Sequence, residues 1–341
     1  MRVGVVIVNY RTPEMVVACL ERLEQERSLL ASIEAVVVDN ASGDDSVALL
    51  SAKLGDAPFA EWVQFLPLPL NGGFGWGNNE AILSLLARDM PPEAILLLNP
   101  DTMIEPGAVA ALVRDMKGRG DAGAIGSQLV NQDGTLAGSA FRFPSISREF
   151  LRGLGIAKVG RLLRIAPVLI PVGEVGPVDW VTGASVLIRT QALHDAGMFD
   201  SGFFLYFEEV ELMHRFAVHG WKCYHCPESR VVHFAGASTG IVDGQLAGKR
   251  SPPDYLFHSR HRYFALTGGR FEAWQADMAW LLGDFCARIL STVMRKRSLA
   301  DTRAERRALL RIGLGARRED ASAAITWTTD FRGRPPSWIK K

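Results

Sequence analysis

The segment that decides the fold is residues 3–42, which read VGVVIVNYRTPEMVVACLERLEQERSLLASIEAVVVDNAS. Residues 3–8 are β-branched apart from one glycine, as expected of a strand that is buried on both faces. A helix is predicted after Pro13, because aliphatic side chains then recur at helical spacing, and residues 33–38 predict a second buried strand. A strand, a helix and a strand in this order predict a βαβ unit and therefore a mostly parallel sheet.

The same alternation continues through the rest of the chain. The predicted strands are 62–66, 94–98, 122–126, 178–188, 221–226 and 230–233, and the predicted helices follow Ser42 and residue 79, start at Pro106, and cover 191–196, 208–219, 255–266 and 271–294. Residues 142–176 carry several prolines and glycines and are predicted to form a mobile loop or a lid. We therefore predict an α/β protein with a mostly parallel central sheet flanked by helices and with a C-terminal helical extension.

Composition and charge narrow the class of protein. Nearly half of the residues are apolar and the formal net charge is +1, so the chain is globular and its overall charge argues for no nucleic-acid partner. Four cysteines are too few for a disulfide scaffold at this length and fit a reducing cytoplasm. The sequence shows no signal peptide and no apolar run of transmembrane length, so a cytoplasmic location is expected.

Several predicted strands end in polar residues, namely Asn9, Asp39, Asn40, Asn99 and Asp101. Ligands of parallel α/β sheets bind outside the carboxyl ends of the strands. The turn that contains Asn99 and Asp101 offers side-chain oxygens, which hard divalent cations prefer together with phosphates and water. His233 closes a later strand, and it could add a nitrogen ligand or be an ordinary surface residue.

An acidic helix start follows the apolar and aromatic run 203–207. Glu208, Glu209 and Glu211 occupy the first turn of the helix predicted there. The helix N-terminus stabilises a carboxylate at this position while apolar neighbours raise its pKa, a combination that suits a general base. The same pattern fits ordinary first-turn acids, and Glu211 is placed to pair with Arg215 one turn further on.

Residues 71–79, Asn-Gly-Gly-Phe-Gly-Trp-Gly-Asn-Asn, are rich in glycine. They lack the G-x-G-x-x-G spacing of a dinucleotide-binding turn and the lysine of a P-loop, which argues against a Rossmann dehydrogenase and a P-loop enzyme. Glycines in such a segment still allow the backbone to approach a ligand closely.

As a set, these motifs resemble the bacterial glycosyltransferases of family 2, most closely the rhamnosyltransferase-like members. The matching segments, in the order in which the family has them, are residues 5–10, 36–42, 71–79, 96–101, 180–184, 197–200, 204–211 and His233. They extend over about residues 1–240, and their combination is specific although each alone is weak. The resemblance implies the GT-A fold, a nucleotide-sugar donor and transfer with inversion at the anomeric carbon.

The resemblance also implies a role for each matching polar residue. The nucleotide sugar would be bound by Asn9, Tyr10, Asp39, Asn78, Asn79, Asn99 and Asp101, the first three at the base. A divalent metal, Mg²⁺ or Mn²⁺, would be bound by Asp101 and His233. Glu209 would be the general base, with Glu208 as the alternative. Two positions depart from the family, which often has Asp where Asn99 stands and a Glu-Asp pair where this chain has Glu208 and Glu209.

Aromatic residues lie near the acidic helix start. Trp180, Phe204 and Tyr206 are predicted to form the wall of the acceptor site, because aromatic faces stack well on the apolar faces of sugars. Core packing is the alternative for these side chains.

The extent of the resemblance predicts the domain boundaries. Residues 1–240 would form the glycosyltransferase domain, with a nucleotide-sugar half at about 1–128 and an acceptor half at about 129–240. Residues 241–316 would form the helical extension, and 317–341 would be a loose tail.

The predicted extension carries apolar residues at helical spacing, followed by the basic residues 295–297. A helix with an apolar face and a basic end can lie on an anionic membrane surface. Packing on the catalytic domain and a homodimer interface are the alternatives, because amphipathicity does not distinguish them.

The sequence therefore predicts an inverting, metal-dependent glycosyltransferase that acts in the cytoplasm, with peripheral attachment to the inner face of the cell membrane as the alternative. Its donor would be dTDP-rhamnose, with a UDP-sugar or GDP-mannose as alternatives, and its acceptor a saccharide or lipid-linked saccharide in cell-surface polysaccharide synthesis. Two other functions remain open, a non-catalytic relative that binds sugar nucleotides or glycans and a nucleotidyltransferase on a similar sheet.

Overall fold

A computed structural model of the chain describes residues 1–30, 32–171, 176–234, 241–242, 245–246, 253–293 and 302–315. The predicted basic segment 295–297 and the predicted tail 317–341 lie outside these residues, as does the residue at the predicted boundary, 240.

The described residues form thirteen strands and ten α-helices. The strands are β1 Arg2–Asn9, β2 Ser32–Asp39, β3 Val63–Pro67, β4 Ala94–Leu98, β5 Thr102–Ile104, β6 Ala122–Val130, β7 Ala140–Phe141, β8 Pro177–Val178, β9 Trp180–Val181, β10 Ser185–Arg189, β11 Lys222–His233, β12 Ile241–Val242 and β13 Gln245–Leu246. The helices are α1 Pro13–Glu26, α2 Ser46–Leu54, α3 Phe74–Leu86, α4 Ala108–Gly118, α5 Ile146–Leu154, α6 Ala157–Leu162, α7 Thr190–Ala196, α8 Glu208–Val218, α9 Asp254–Val293 and α10 Arg303–Gly315.

The central sheet has the strand order β3-β2-β1-β4-β10-β6-β11-β5, with β8 added beside β11. Strand β1 pairs in parallel with β2 and β4, β2 with β3, and β6 with β11. Strand β10 runs antiparallel between β4 and β6. The prediction of a mostly parallel sheet is confirmed, and its carboxyl edge carries the ends of β1, β2 and β4.

Both faces of the sheet are buried, as the β-branched composition of β1 predicts. Val3, Val5 and Ile7 point into one hydrophobic cluster, while Val6 belongs to the cluster on the opposite face. Burial on both sides fixes the register of β1, because a shift of one residue would exchange the two sets of side chains.

Three local predictions need correction. The strands predicted at 221–226 and 230–233 are one strand, β11, with a register irregularity between Cys226 and Arg230. The predicted strand 178–188 is divided among β8, β9 and β10. Strand β5, which has three residues, follows Asp101 directly and pairs with the end of β11, was not predicted.

The loop predicted for 142–176 is wrong for the described part of that segment. Helices α5 and α6 occupy much of it, and α5 packs against α9. Two glycines allow the helices to cross closely: a Cβ on Gly153 would lie 2.2 Å from the Trp280 carbonyl oxygen, and one on Gly283 would lie 2.2 Å from that of Phe150. The partner helix is more than a hundred residues away in sequence, so local composition gave no signal of it.

The helices predicted at 255–266 and 271–294 correspond to α9, whose helical geometry is broken at Gly269, where φ is 84°. Buried ion pairs attach this helix to the rest of the molecule. Arg260 pairs with Glu149 of α5, and Arg262 pairs with Asp200 at 2.7 Å. The first half of α9 therefore packs on the part of the chain before residue 240.

None of the helices in the described part of the chain combines the length and the apolarity needed to cross a bilayer. All four cysteines are free, and burial raises the pKa of the Cys19 and Cys223 thiols to about 12.

Candidate active site

The carboxyl ends of β1 and β2 meet in a buried network of polar side chains. The Asn9 amide donates to Asp39 Oδ2 at 2.7 Å and to Ser42 Oγ at 3.3 Å. Ser42 donates both its hydroxyl and its backbone N–H to the Asp39 carboxylate. The structure thus brings two of the predicted base-binding residues into contact with each other, and both are fully buried. Their role at a nucleotide base stays a prediction.

Tyr10 follows this network and is half-buried beneath a cation. The Arg11 guanidinium lies over the Tyr10 ring at 5.1 Å from its centroid, and Arg11 Nε donates to the Ser42 carbonyl at 2.8 Å. Arginine is well suited to bidentate phosphate recognition. Arg11 was not among the predicted site residues. Its backbone is left-handed (φ 60°), and an arginine in the sequence gives no indication of that conformation.

The glycine-rich segment 71–79 makes hydrogen bonds to the residue after β2 and to the loop before α8. The Asn40 amide donates to the Gly73 carbonyl at 3.1 Å. Gly73 has φ 85°, and a Cβ there would lie 2.1 Å from the carbonyl oxygen of Phe204. The Phe74 N–H donates to that same carbonyl at 3.0 Å. The close approach that the glycines allow is therefore made, at Gly73, to the chain's own backbone.

Asn78 and Asn79 are both buried in α3. The Asn78 amide donates to the Phe74 carbonyl within the helix at 2.9 Å. Asn79 holds the backbone of Phe199 from both sides, donating to its carbonyl at 2.8 Å and accepting its N–H at 3.1 Å. These contacts give Asn79 a structural role in fixing the segment that leads to α8, and the predicted contact of either residue with a sugar nucleotide stays a prediction.

Asp101 and His233 lie side by side, because the end of β11 pairs with β5. His233 pairs in register with Thr102, and its Nε2 lies 3.3 Å from Asp101 Oδ1. The side-chain oxygen of Asn99 is buried without a hydrogen-bond partner among the described residues. Such an oxygen, together with a carboxylate and an imidazole nitrogen, fits the donor set that a divalent cation accepts. Within the described residues, no group of three His, Cys, Asp or Glu side chains could hold a metal ion.

Glu208 and Glu209 begin α8 directly after two residues with left-handed backbone, Tyr206 and Phe207, each with φ 69°. Burial raises the pKa of both glutamates, and the charge of Glu209 raises that of Glu208 further. The backbone N–H groups of Glu209 itself, Val210 and Gly183 oppose the rise in the pKa of Glu209. Burial and a neighbouring charge both raise the pKa of Glu208, whereas burial alone raises that of Glu209.

Glu211 has a different environment from its two neighbours. Its carboxylate forms a two-pronged ion pair with Arg215, at 2.7 and 2.8 Å, as the helical spacing predicts. Arg215 also donates to the Met198 carbonyl at 2.7 Å. This pair ties α8 to the segment held by Asn79.

The turn 182–184 connects the base candidate to the Asn99–Asp101 turn. Gly183 lies against Glu209, since a Cβ on Gly183 would be 3.9 Å from Glu209 Cβ, and the next residue, Ala184, accepts the Asn99 N–H at 2.9 Å. Consecutive Cα atoms are only about 3.8 Å apart. Two sets of residues that lie about a hundred positions apart in the sequence are therefore neighbours in the fold.

The predicted aromatic wall separates into two groups. Trp180 stacks on Phe141 with ring centroids 4.2 Å apart and donates its indole N–H to the Arg142 carbonyl at 3.1 Å. Phe204 and Tyr206 both pack against Tyr255 of α9, at centroid distances of 5.3 and 6.1 Å. The acceptor-binding role of all three remains a prediction.

Helix α9 contributes residues to this region that the sequence analysis missed. Ser259 Oγ donates to the Leu205 carbonyl at 2.9 Å, and Arg262 donates to Asp200 through Nε and Nη2. The Arg262 guanidinium also lies against Gly202, where a Cβ would be 2.2 Å from its Cζ. Residues 200–207, which we name the base loop, are thus held by α9 over their whole length.

The architecture has counterparts among solved glycosyltransferases. A mannosyltransferase of Pyrobaculum calidifontis in complex with GDP-Man and Mn²⁺ aligns with 92% of this chain and 79% of its own, at a TM-score of 0.52 and 15% identity. Staphylococcus aureus TarS in complex with UDP-GlcNAc aligns with 92% of this chain and 81% of its own, at a TM-score of 0.50 and 13% identity. The curled, mostly parallel sheet with helices on both sides is a GT-A-like fold.

Sequence comparison gives the family. The profile described as glycosyltransferase like family 2 matches residues 1–248, and the chain belongs to that family. The N-acetylglucosaminyl-diphospho-decaprenol L-rhamnosyltransferase of Mycobacterium tuberculosis is 29% identical over 71% of this chain and 78% of its own length. The rhamnosyltransferase WbbL of Escherichia coli is 24% identical over 48% of this chain and 61% of its own. The predicted fold and family are both confirmed, and the protein is a glycosyltransferase.

Proposed function

We propose that the protein is an inverting rhamnosyltransferase that transfers rhamnose from dTDP-rhamnose to a hydroxyl of a lipid-linked saccharide. The observation that carries the reaction type is the contact chain from Glu209 through Gly183 and Ala184 to Asn99. It puts a candidate base beside the turn where the donor diphosphate would bind. A non-catalytic binding protein has no need for a buried, ionisable carboxyl at this place.

The base acts on the acceptor. Glu209 takes the proton of the acceptor hydroxyl as that oxygen attacks the anomeric carbon from the face opposite the diphosphate. The C–O bond to the diphosphate breaks, and the anomeric configuration inverts. The raised pKa of Glu209, caused by burial, strengthens it as a base.

The Asn99–Asp101 turn and His233 act on the diphosphate of the donor. The nearby Asp101 and His233 side chains and the unpartnered Asn99 oxygen would hold a divalent metal. Such a metal, when bound, supplies positive charge that stabilises the leaving diphosphate. Asn9, Asp39 and Tyr10 would bind the base of the nucleotide. Arg11 lies beside Tyr10 and would contact the nucleotide base or the phosphates.

The sugar and the acceptor are proposed from the relatives. Both curated relatives named above are rhamnosyltransferases, and the name of the mycobacterial one specifies a diphospho-decaprenol acceptor. We therefore place dTDP-rhamnose ahead of UDP-sugars and GDP-mannose. We also propose that the enzyme works in the cytoplasm at the inner face of the membrane, where a lipid-linked acceptor would be presented.

The test is a panel of donors measured for binding and for hydrolysis, with Mg²⁺, Mn²⁺ or EDTA. The donors are dTDP-rhamnose, UDP-glucose, UDP-galactose and GDP-mannose, and the proteins are the wild type, Asp101→Ala and Glu209→Gln. We expect metal-dependent binding of dTDP-rhamnose that Asp101→Ala removes. We expect Glu209→Gln to bind the donor normally and to lose transfer.

Other outcomes would change the proposal in defined ways. Binding of a different donor would replace rhamnose but leave the reaction type standing. Metal-independent binding would remove Asp101 and His233 as ligands. The absence of binding to every nucleotide sugar would contradict the enzyme assignment and favour a glycan-binding relative.

A further inference from the structure

The second half of α9 has an exposed apolar face. Within residues 271–293, every exposed side chain is apolar except Thr292. The exposed apolar residues are Phe271, Trp274, Leu282, Phe285, Ile289, Leu290 and Val293, and Phe271 and Val293 are 69% and 75% exposed. They extend over 23 residues of helix, a length of about 35 Å. A row of exposed apolar side chains of this length marks a contact with another apolar phase or protein.

The acidic side chains of residues 271–293 do not lie on the exposed apolar face. Glu272 is half-buried, and Asp277 and Asp284 are buried. Asp284 is neutralised by Arg288 and Arg306, at 2.8 and 3.1 Å. The exposed surface therefore presents no carboxylate that an anionic partner would repel.

Helix α6 adds exposed cations near α9. Gly283 contacts the end of α5 so closely that a Cβ there would lie 2.8 Å from the Leu154 nitrogen. Helix α6 starts three residues later, at Ala157, which is within about 11 Å by chain length alone. It exposes Lys158 and Arg161, Arg164 follows it, and residues 150–170 contain no acid.

The same segment repeats the combination of exposed apolar and basic side chains. Leu162 is 82% exposed and Leu163 is 53% exposed, between Arg161 and Arg164. The sequence adds three cations at 295–297, just after α9, although their positions lie outside the described residues. Apolar and aromatic side chains interspersed with Lys and Arg are the composition of helices that lie in the interface of an anionic membrane.

We propose that the exposed apolar side chains of α9 and α6, with Lys158, Arg161 and Arg164, form a surface that docks on an anionic lipid bilayer. We name it the docking face. A second copy of the chain fits it less well, because a two-fold contact places the same patch against itself and would bring these cations together. An anionic bilayer provides both an apolar phase for the leucine, phenylalanine and tryptophan side chains and phosphate groups for the cations.

The test is flotation of the full-length protein with vesicles, without any sugar donor. The vesicles are phosphatidylcholine alone or phosphatidylcholine mixed with phosphatidylglycerol, at low and high salt. The test variant carries Leu282→Glu and Phe285→Glu, two exposed positions that leave the core intact. The matched control carries Leu29→Glu and Met90→Glu, which are 56% and 70% exposed on other parts of the surface.

We expect the wild type and the control to float with the phosphatidylglycerol vesicles and to bind them less at high salt. The test variant should bind these vesicles about tenfold or more weakly, since it puts charge on apolar area that the bilayer would bury. An Arg161→Glu and Arg164→Glu variant should lose the preference for anionic vesicles. Equal flotation of the test variant, or no flotation of the wild type, would overturn the proposal.

Light scattering tests whether a second copy of the chain, instead of a bilayer, covers the docking face. A wild-type dimer that Leu282→Glu and Phe285→Glu convert to a monomer would assign the face to a second copy and overturn the bilayer proposal. Because flotation needs no donor, its failure leaves the proposed transfer reaction untouched. Conversely, failure of the donor panel leaves the flotation result standing.

Discussion

Glu208 and Glu209 are adjacent carboxyls with different surroundings. Backbone N–H groups of Glu209, Val210 and Gly183 oppose the rise in the pKa of Glu209, whereas the charge of Glu209 adds to the rise in the pKa of Glu208. Two buried carboxyls this close do not ionise independently. We expect Glu209, rather than Glu208, to carry the negative charge, because the charge of Glu209 itself raises the pKa of Glu208, and this assignment can be tested by substitution.

Glu209→Gln should lower kcat by about 10²- to 10⁴-fold, because an amide cannot accept the proton. Glu208→Gln should keep most of the activity, since glutamine imitates the neutral glutamic acid. Transfer measured against pH should decline below a midpoint higher than the ordinary 4.5 of a glutamate, because the raised pKa must be exceeded before Glu209 ionises. A profile in which Glu208→Gln removes transfer and Glu209→Gln does not would reverse the two roles.

Gly73 offers a second test at the level of one residue. Gly73→Ala should reduce both stability and transfer, because a Cβ would lie 2.1 Å from the Phe204 carbonyl oxygen and would displace the base loop. Gly107→Ala is the matched control, since Gly107 has φ 82° with no atom within 4 Å of the added Cβ. The control should cost only the strain of a left-handed alanine, about 1–2 kcal/mol. Thermal unfolding of both variants measures the difference, and equal losses would contradict a steric role for Gly73.

The motif residues could be predicted from the sequence because each is part of a short, ordered pattern. Asp101 and His233 were expected together, and the structure puts them 3.3 Å apart. Arg262, Ser259 and Tyr255 could not be predicted, because they reach the base loop from an element 50 to 60 positions away in sequence. An arginine or serine in a helix carries no sign of which distant backbone it will contact.

At the scale of elements, α9 is the support of the base loop. Its first half contacts the loop at Asp200, Gly202, Phe204 and Leu205. The loop must hold the left-handed Tyr206 and Phe207, a conformation that non-glycine residues keep only when their surroundings fix it. We therefore expect changes in α9 to alter catalysis without altering donor contacts.

Arg262→Met should destabilise the fold by about 3–5 kcal/mol, because it leaves the buried Asp200 carboxylate without its partner. The expected kinetic effect is a lower kcat with little change in KM for the donor, and Arg262→Lys should recover part of it. Arg311→Met is the control, since its pair with Asp254 is exposed and should be worth at most about 1 kcal/mol. A variant Arg262→Met that unfolds and turns over like the wild type would contradict the bracing role.

The elements themselves were predictable to different degrees. Strands β1, β2 and β4 are runs of aliphatic residues between helices, and the sheet confirmed them closely. Strand β5 is three residues long and α6 is six, so neither completes two periods of its pattern. Helix α5 was mistaken for loop because Gly153 is there to let α9 approach, not to end a helix.

At the scale of the whole molecule, the C-terminal helices are part of the folding unit. The family profile stops at residue 248, yet Glu149 and Asp200 rely on Arg260 and Arg262 for charge neutralisation. Phe203 and Val210 share a hydrophobic cluster with Tyr263 and Phe264 of α9. The catalytic half therefore cannot bury its own apolar surface completely without the extension.

A truncation that keeps only residues 1–248 should not fold cooperatively. Removing α9 exposes the apolar cluster, leaves the buried Asp200 without Arg262 and leaves the buried Glu149 with Arg152 alone, and these losses are strongly destabilising. Circular dichroism during heating and size-exclusion chromatography would measure this against the full chain. A monomeric fragment with a sharp, full-length-like transition would show that the extension is an accessory.

The chain's thiols have a practical consequence. Cys19, Cys223 and Cys226 are buried, and burial raises the pKa of each, so these thiols are poor nucleophiles. Cys286 is the one cysteine that is not fully buried, and it lies in α9 next to Phe285 of the docking face. A maleimide fluorophore should therefore attach at one position without any engineering, and its emission would report directly when that helix leaves water.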